Sequence, residues 1–215
     1  MRNGKRGGLV AICAIVFALT ACGTPEPKTA AEYRQRGITF YNAGEYDRAI
    51  ADFTKALGLQ FDYAQVYYDR AMAYRHRGKP SLALADLEQA IYFNPSFAEA
   101  YNERGKIYDE KDNLDAAMKD LNQAILLKPD LADAYCNRAV VYDEQGQILY
   151  AIDDYSRAIA LKPDMAVAYW GRGLAYITRR DREHALADMK KVLEITQDPL
   201  LRRQAEDQVK LLEAK

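Results

Sequence analysis

Residues 98–131 read AEAYNERGKIYDEKDNLDAAMKDLNQAILLKPDL, and the spacing of small and bulky residues in this stretch decides the fold. Tyr101, Gly105 and Tyr108 lie four and three apart, on one face of a helix, and Ala117, Leu121 and Ala124 repeat that spacing on a second helix. Pro129 stops the second helix, and Asp112 stands where the first should end. Small residues let the two helices approach, and the aromatic rings fill the space between them.

Shifted by 34 residues, the chain superposes on itself without a slip. The matching columns are Ala30, Ala64, Ala98, Ala132 and Ala166; Tyr33, Tyr67, Tyr101, Tyr135 and Tyr169; and Gly37, Ala71, Gly105, Ala139 and Gly173. They continue with Phe40, Tyr74, Tyr108, Tyr142 and Tyr176, then Ala49, Ala83, Ala117, Ala151 and Ala185, and close on Pro95, Pro129 and Pro163. This pattern resembles the tetratricopeptide repeat (TPR) family. The resemblance implies an all-α, right-handed superhelix of five helix-turn-helix repeats at 30–63, 64–97, 98–131, 132–165 and 166–197, with a concave and a convex side. Gly44, Gly78 and Gly146 suit the left-handed end of a first helix, whereas Asp112 and Arg180 occupy that place in the other repeats. Beyond the repeats, residues 198–215 begin with Asp198 and Pro199 and carry Leu201, Ala205, Val209 and Leu212 on one stripe. They read as a capping helix, with a partner-docking helix as the alternative.

The first 21 residues run from Arg2, Lys5 and Arg6 into an apolar stretch, Leu9 to Leu19, that is short for a membrane span and suits a signal peptide. Leu19-Thr20-Ala21-Cys22 resembles the lipobox of bacterial lipoproteins, which implies acylation of Cys22 and a mature chain beginning there. Residues 22–29, with Pro25 and Pro27, read as a short extended linker that holds the body near the lipid surface. Gly23 differs from the Asp that marks inner-membrane retention in such lipoproteins, so the periplasmic face of an outer membrane is the expected location. Signal and repeats together resemble in plan the NlpI-like and PilF-like envelope lipoproteins. Cys136 remains as a lone thiol, a small apolar residue or an intermolecular contact.

Two charged columns recur in every repeat: Arg36, Arg70, Arg104, Arg138 and Arg172, each with an Asp sixteen residues later at Asp52, Asp86, Asp120, Asp154 and Asp188. Residues repeated in every copy read most economically as ion pairs joining the helices; a charged stripe read by a partner is the alternative. Function has to come from positions that vary between repeats. In the TPR family the first helices line the concave groove, which implies ligand-facing roles for Arg34 and Tyr41, Tyr68 and Arg75, then Asn102, Asp109 and Glu110. The same carry-over gives Asp133, Asp143 and Glu144, then Trp170 and Leu174. The groove is thus mixed and basic at its start, acidic in the middle and apolar at its end, suiting a protein or peptide partner with basic residues beside an apolar anchor. The fifth repeat positions, Arg34, Tyr68, Asn102, Cys136 and Trp170, lack the Lys and Asn arrangement that resembles a carboxylate clamp.

Composition narrows the classes further. With 30 basic against 31 acidic side chains, the net charge is −1, which argues against a nucleic-acid partner. His76 and His184 fall in different repeats, and no HExxH, GxSxG, CxxC or phosphate-cradling glycine loop occurs, so no catalytic site, metal or cofactor is expected. The expectation is a non-catalytic lipid-anchored scaffold or adaptor, serving a protease, a cell-wall hydrolase or an outer-membrane assembly machine. A self-associating structural lipoprotein, a homo-oligomer, is the alternative.

Overall fold

The computed structural model describes residues 26–214. The expected signal peptide, residues 1–21, and the expected acylation site at Cys22 lie outside the described residues. Among those described, the secondary structure is entirely helical: α1 Ala30–Asn42, α2 Tyr46–Leu59, α3 Ala64–His76, α4 Pro80–Phe93, α5 Ala98–Asp109, α6 Leu114–Leu127, α7 Ala132–Glu144, α8 Ile148–Leu161, α9 Ala166–Thr178, α10 Arg182–Ile195 and α11 Pro199–Glu213.

Local chemistry sets the helix ends. Thr29 caps α1: its hydroxyl accepts from the Glu32 amide at 3.2 Å, and the Glu32 carboxylate accepts from the Thr29 amide at 3.1 Å. Each odd-numbered helix up to α9 then ends on one left-handed residue: Gly44, Gly78, Asp112, Gly146 and Arg180, with φ of 76°, 66°, 58°, 71° and 62°. The next amide in each repeat, on Glu45, Lys79, Asn113, Gln147 and Asp181, donates back to the carbonyl of the aromatic column at 2.8–2.9 Å. That six-to-one bond satisfies a helix-end carbonyl and turns the chain through the same angle every time. Asp112 and Arg180 adopt the glycine geometry at a cost of about 1–2 kcal/mol, less for Asp112, whose short polar side chain tolerates it better.

Packing follows from pairing large with small. Phe53, Leu87, Leu121, Tyr155 and Met189 form one buried column, at most 3% exposed. A methyl group added to Gly37 would meet the Phe53 ring at 2.6 Å, and one on Gly105 would meet Leu121 at 2.9 Å, so these glycines are where the bulky partner leans in. Each helix pair packs most intimately within its repeat, and the second helix of each pair then packs on the first helix of the next. First helices also touch one another across repeats, α1 with α3, α5 with α7 and α7 with α9. They therefore line the tighter, inner side of the curve. The last helix, α11, lies on α10 with Ala205 fully buried and Leu201, Val209 and Leu212 half-buried, closing the apolar end of the stack.

The described end of the expected extended linker is fastened to the body at Glu26: its carboxylate accepts from Arg36 at 3.0 Å, Lys55 at 2.9 Å and the Tyr33 hydroxyl at 3.0 Å. Those partners hold its pKa down at about 2. A single carboxylate facing two cations was invisible to composition, which reported only a polar, proline-containing segment.

Candidate functional site

Two faces of the stack bring charged side chains together, and they are built on different rules. On the first, every Arg of the repeated column meets its own repeat's Asp through two parallel bonds. For Arg104 and Asp120 these are Nε to Oδ2 at 2.6 Å and Nη2 to Oδ1 at 2.9 Å, and the other four pairs reproduce them within 2.6–2.9 Å. The Asp residues are 3–7% exposed. Each guanidinium is bracketed by the rings three before and four after it, as Arg138 is by Tyr135 and Tyr142, both at 5.7 Å. In three repeats the remaining nitrogen reaches the preceding repeat, where Arg70 donates to Thr54, Arg138 to Asn122 and Arg172 to Ser156. Ahead of the first repeat, Glu26 takes that place for Arg36. Burial pushes the Asp86 carboxyl up even with Arg70 opposite, so at that carboxyl desolvation outweighs the attraction of its partner. In every rung the paired side chains join helix to helix, and in four of the five the Arg also reaches the segment before its own repeat.

The inner face is different. There, side chains meet across repeats at an offset of 35 residues, one more than the period. Arg34 Nε bonds Asp69 at 2.6 Å, with Gln65 steadying the same carboxylate at 3.1 Å. Asn137 donates to Asn102 at 2.9 Å. At the far end of the same helices Tyr41 meets the His76 ring at 5.4 Å, Arg75 bonds Glu110 and also Glu103 at 2.6 Å each, and the next pair in the series is Asp109 with Glu144. That slot holds attraction twice and then two carboxylates. One oxygen of Asp109 is shut off from solvent with no hydrogen-bond partner, and burial together with Glu144 and Glu110 pushes its pKa up to about 6. Burial also raises the Asp143 carboxyl one residue before Glu144.

The sequence-derived groove residues therefore divide. Arg34 and Arg75 are on the inner face but engaged with Asp69, Glu103 and Glu110. Asn102 is 4% exposed and bonded to Asn137, so it fastens α5 to α7 and does not face a ligand; its neighbour in the series, Cys136, is 6% exposed, and burial pushes its thiol up to about 12. Tyr41 and Tyr68 line a cavity of about 370 Å³ with Ile38, Asn42, Phe53, Asp69 and Met72, large enough for one bulky apolar side chain. A second cavity of about 330 Å³ follows along the face, lined by Met72, Arg75, His76, Glu103 and Lys106. Asp109, Asp133, Asp143 and Glu144 make no ion pair among the described residues, and Trp170 and Leu174 are half-buried on α9. Asp69, Glu103 and Asn137 were missed by sequence reasoning; pairing the chain with itself at 35 instead of 34 would have found Asp69 and Asn137, whereas Glu103 meets Arg75 at a separation of 28.

Among the described residues, no group of three or more His, Cys, Asp or Glu is placed to hold a metal ion, and no helix is long and apolar enough to cross a membrane. Models of the tetratricopeptide repeat match residues 34–63, 64–97, 132–165 and 166–199, and a TPR repeat model matches 105–146. The MamA protein crystal structure is 31% identical over 77% of this chain and 90% of that one, with a TM-score of 0.65.

The chain belongs to the tetratricopeptide repeat family.

Two further solved structures share its fold. YrrB, described as a TPR protein with an unusual peptide-binding site, is 22% identical over 83% of this chain and 92% of that one (TM-score 0.62). The Pseudomonas aeruginosa pilF structure is 16% identical over 85% and 88% (TM-score 0.74). No curated protein sequence matches the chain. This TPR protein is thus a superhelical scaffold of the kind that mediates protein–protein interaction, and its inner face is where its repeats cease to resemble one another.

Proposed function

We propose that this TPR protein is a non-catalytic, lipid-anchored scaffold of the bacterial envelope, whose inner groove holds a partner segment bearing a basic side chain alongside an apolar one. The observation that carries this reading is the Asp109–Glu144 pair. In a slot where neighbouring repeats place a ring contact and a salt bridge, two carboxylates face each other, and a cation supplied by a partner would complete the series. The Tyr41–Tyr68 cavity two repeats earlier is suited to the apolar side chain. First helices pack about 10 Å apart, so cavity and carboxylates lie roughly 20 Å from each other, about six residues of extended chain. The anchoring part of the reading rests on Leu19-Thr20-Ala21-Cys22 and the apolar stretch before it, and the outer-membrane location on Gly23. The partner's pathway, whether protease or cell-wall hydrolase adaptation or assembly of an outer-membrane machine, follows from the partner's identity.

The test is an envelope pull-down comparing wild type with an Asp109→Lys, Asp143→Lys, Glu144→Lys variant. Glu110 is left in place because it holds Arg75. Partners lost only in the variant support the groove. Partners retained unchanged refute it, and capture of a second copy as sole partner favours the self-associating alternative.

A further inference from the structure

The hairpin topology places all first-helix N-termini, all second-helix C-termini and the turns between repeats on one edge of the stack. The chain enters α1 on that same edge, and Glu26 is fastened to Lys55, one helical turn before Leu59 on α2. Exposed apolar side chains run along it through three consecutive repeats: Leu59 at 58% exposure, Phe61 at 69%, Tyr92 at 74% and Leu126 at 73%. Phe61 and Tyr92 are held in place by Phe93, which each meets edge-on, at 6.0 and 5.1 Å, and which stacks on Tyr67 at 5.7 Å. The projecting rings are thus supported by a rigid base. Neighbouring charges nearly cancel, with Asp62, Asp130 and Asp164 set against Lys128 and Lys162. A supported row of aromatic and aliphatic side chains without a net field suits the headgroup level of a bilayer, where amphipathic rings settle. Distance agrees, since three residues separate Cys22 from Glu26 and the four Cα-to-Cα steps between them can span at most about 14 Å.

We infer that the edge bearing Leu59, Phe61, Tyr92 and Leu126 rests on the phospholipid surface into which the Cys22 acyl chains insert, an inference that rests on the lipid-anchored reading above. The contact orients the stack edge-on, with the turns inside each repeat directed away from the bilayer. Because the row is apolar and its surroundings nearly neutral, the contact is insensitive to salt.

The experiment uses the full acylated protein reconstituted into phosphatidylethanolamine–phosphatidylglycerol vesicles, with an environment-sensitive fluorophore on Phe61→Cys, Tyr92→Cys or, on the opposite edge, Leu149→Cys. Cys136 is buried and does not compete for label. The expected result is a blue shift, and loss of emission to a lipid-borne quencher, at positions 61 and 92 and neither at 149, unchanged in high salt. Vesicle-bound protein with no shift at 61 or 92 overturns the edge contact while leaving anchoring intact. A concentration-dependent shift without vesicles assigns the row to a protein partner and also overturns it. Mass spectrometry of the mature N-terminus showing no acyl group removes the anchoring reading, and the edge contact with it.

Discussion

The Arg–Asp ladder and the inner groove are made from similar charged side chains, yet one repeats five times without variation and the other differs at every step. In the ladder, both partners lie in one repeat, sixteen residues apart, and their bonds reproduce within a few tenths of an ångström. In the groove, partners come from different repeats, and the same slot holds a ring pair, a salt bridge and then two carboxylates. Repetition marks what every helix pair needs in order to stand; variation marks what can be given over to a ligand.

The largest expected effect breaks a rung. Arg70→Ala leaves Asp86 buried and unpaired and should lower unfolding stability by about 3–5 kcal/mol in a denaturant titration. The pair Arg70→Met with Asp86→Leu should cost far less, because no charge is then left buried without a partner and the desolvation that pushes Asp86 up is removed with it. Next comes packing between repeats: Gly171→Ala places a methyl 2.4 Å from the buried Tyr155 ring and should cost about 1–3 kcal/mol.

Groove changes should have the opposite sign on stability. A carboxyl whose folded pKa is raised binds its proton more tightly when folded, so it favours the folded state at low pH and loses that contribution as pH climbs from its ordinary range through 6. Asp109→Asn should therefore be more stable than wild type at neutral pH, with the difference closing in acid, as thermal unfolding across pH would record. A cationic partner should bind more tightly as pH rises through that window, and the same substitution should flatten the dependence. The smallest effect sharpens the ladder side: Arg180→Gly relieves a left-handed Arg and should add about 0.5–1 kcal/mol.

Legibility in the sequence follows the same division. The Arg and Asp columns are visible because they recur at the repeat period, and so are the aromatic and small columns that build the helix pairs. The bracketing of each Arg by two rings follows from those columns through the i−3 and i+4 spacing, once they are placed on one helix. The groove is less legible because its contacts skip to the next repeat at 35. A position-by-position carry-over from the family assigns Asn102 outward, whereas Asn137, one repeat and one residue on, covers it. Glu26 is legible only after folding, since nothing near it in sequence announces the cluster of Arg36, Lys55 and Tyr33.

The most direct measurement takes the captured partner segment and compares its affinity for wild type, Asp109→Asn with Glu144→Gln, and Arg70→Met with Asp86→Leu, recording each unfolding midpoint. The expected result is a loss of about tenfold or more in affinity for the carboxylate variant at an unchanged or raised midpoint, with wild-type affinity in the rung variant. Equal affinity in wild type and the carboxylate variant, or a loss in both variants that tracks their stability, would contradict the division of labour between ladder and groove.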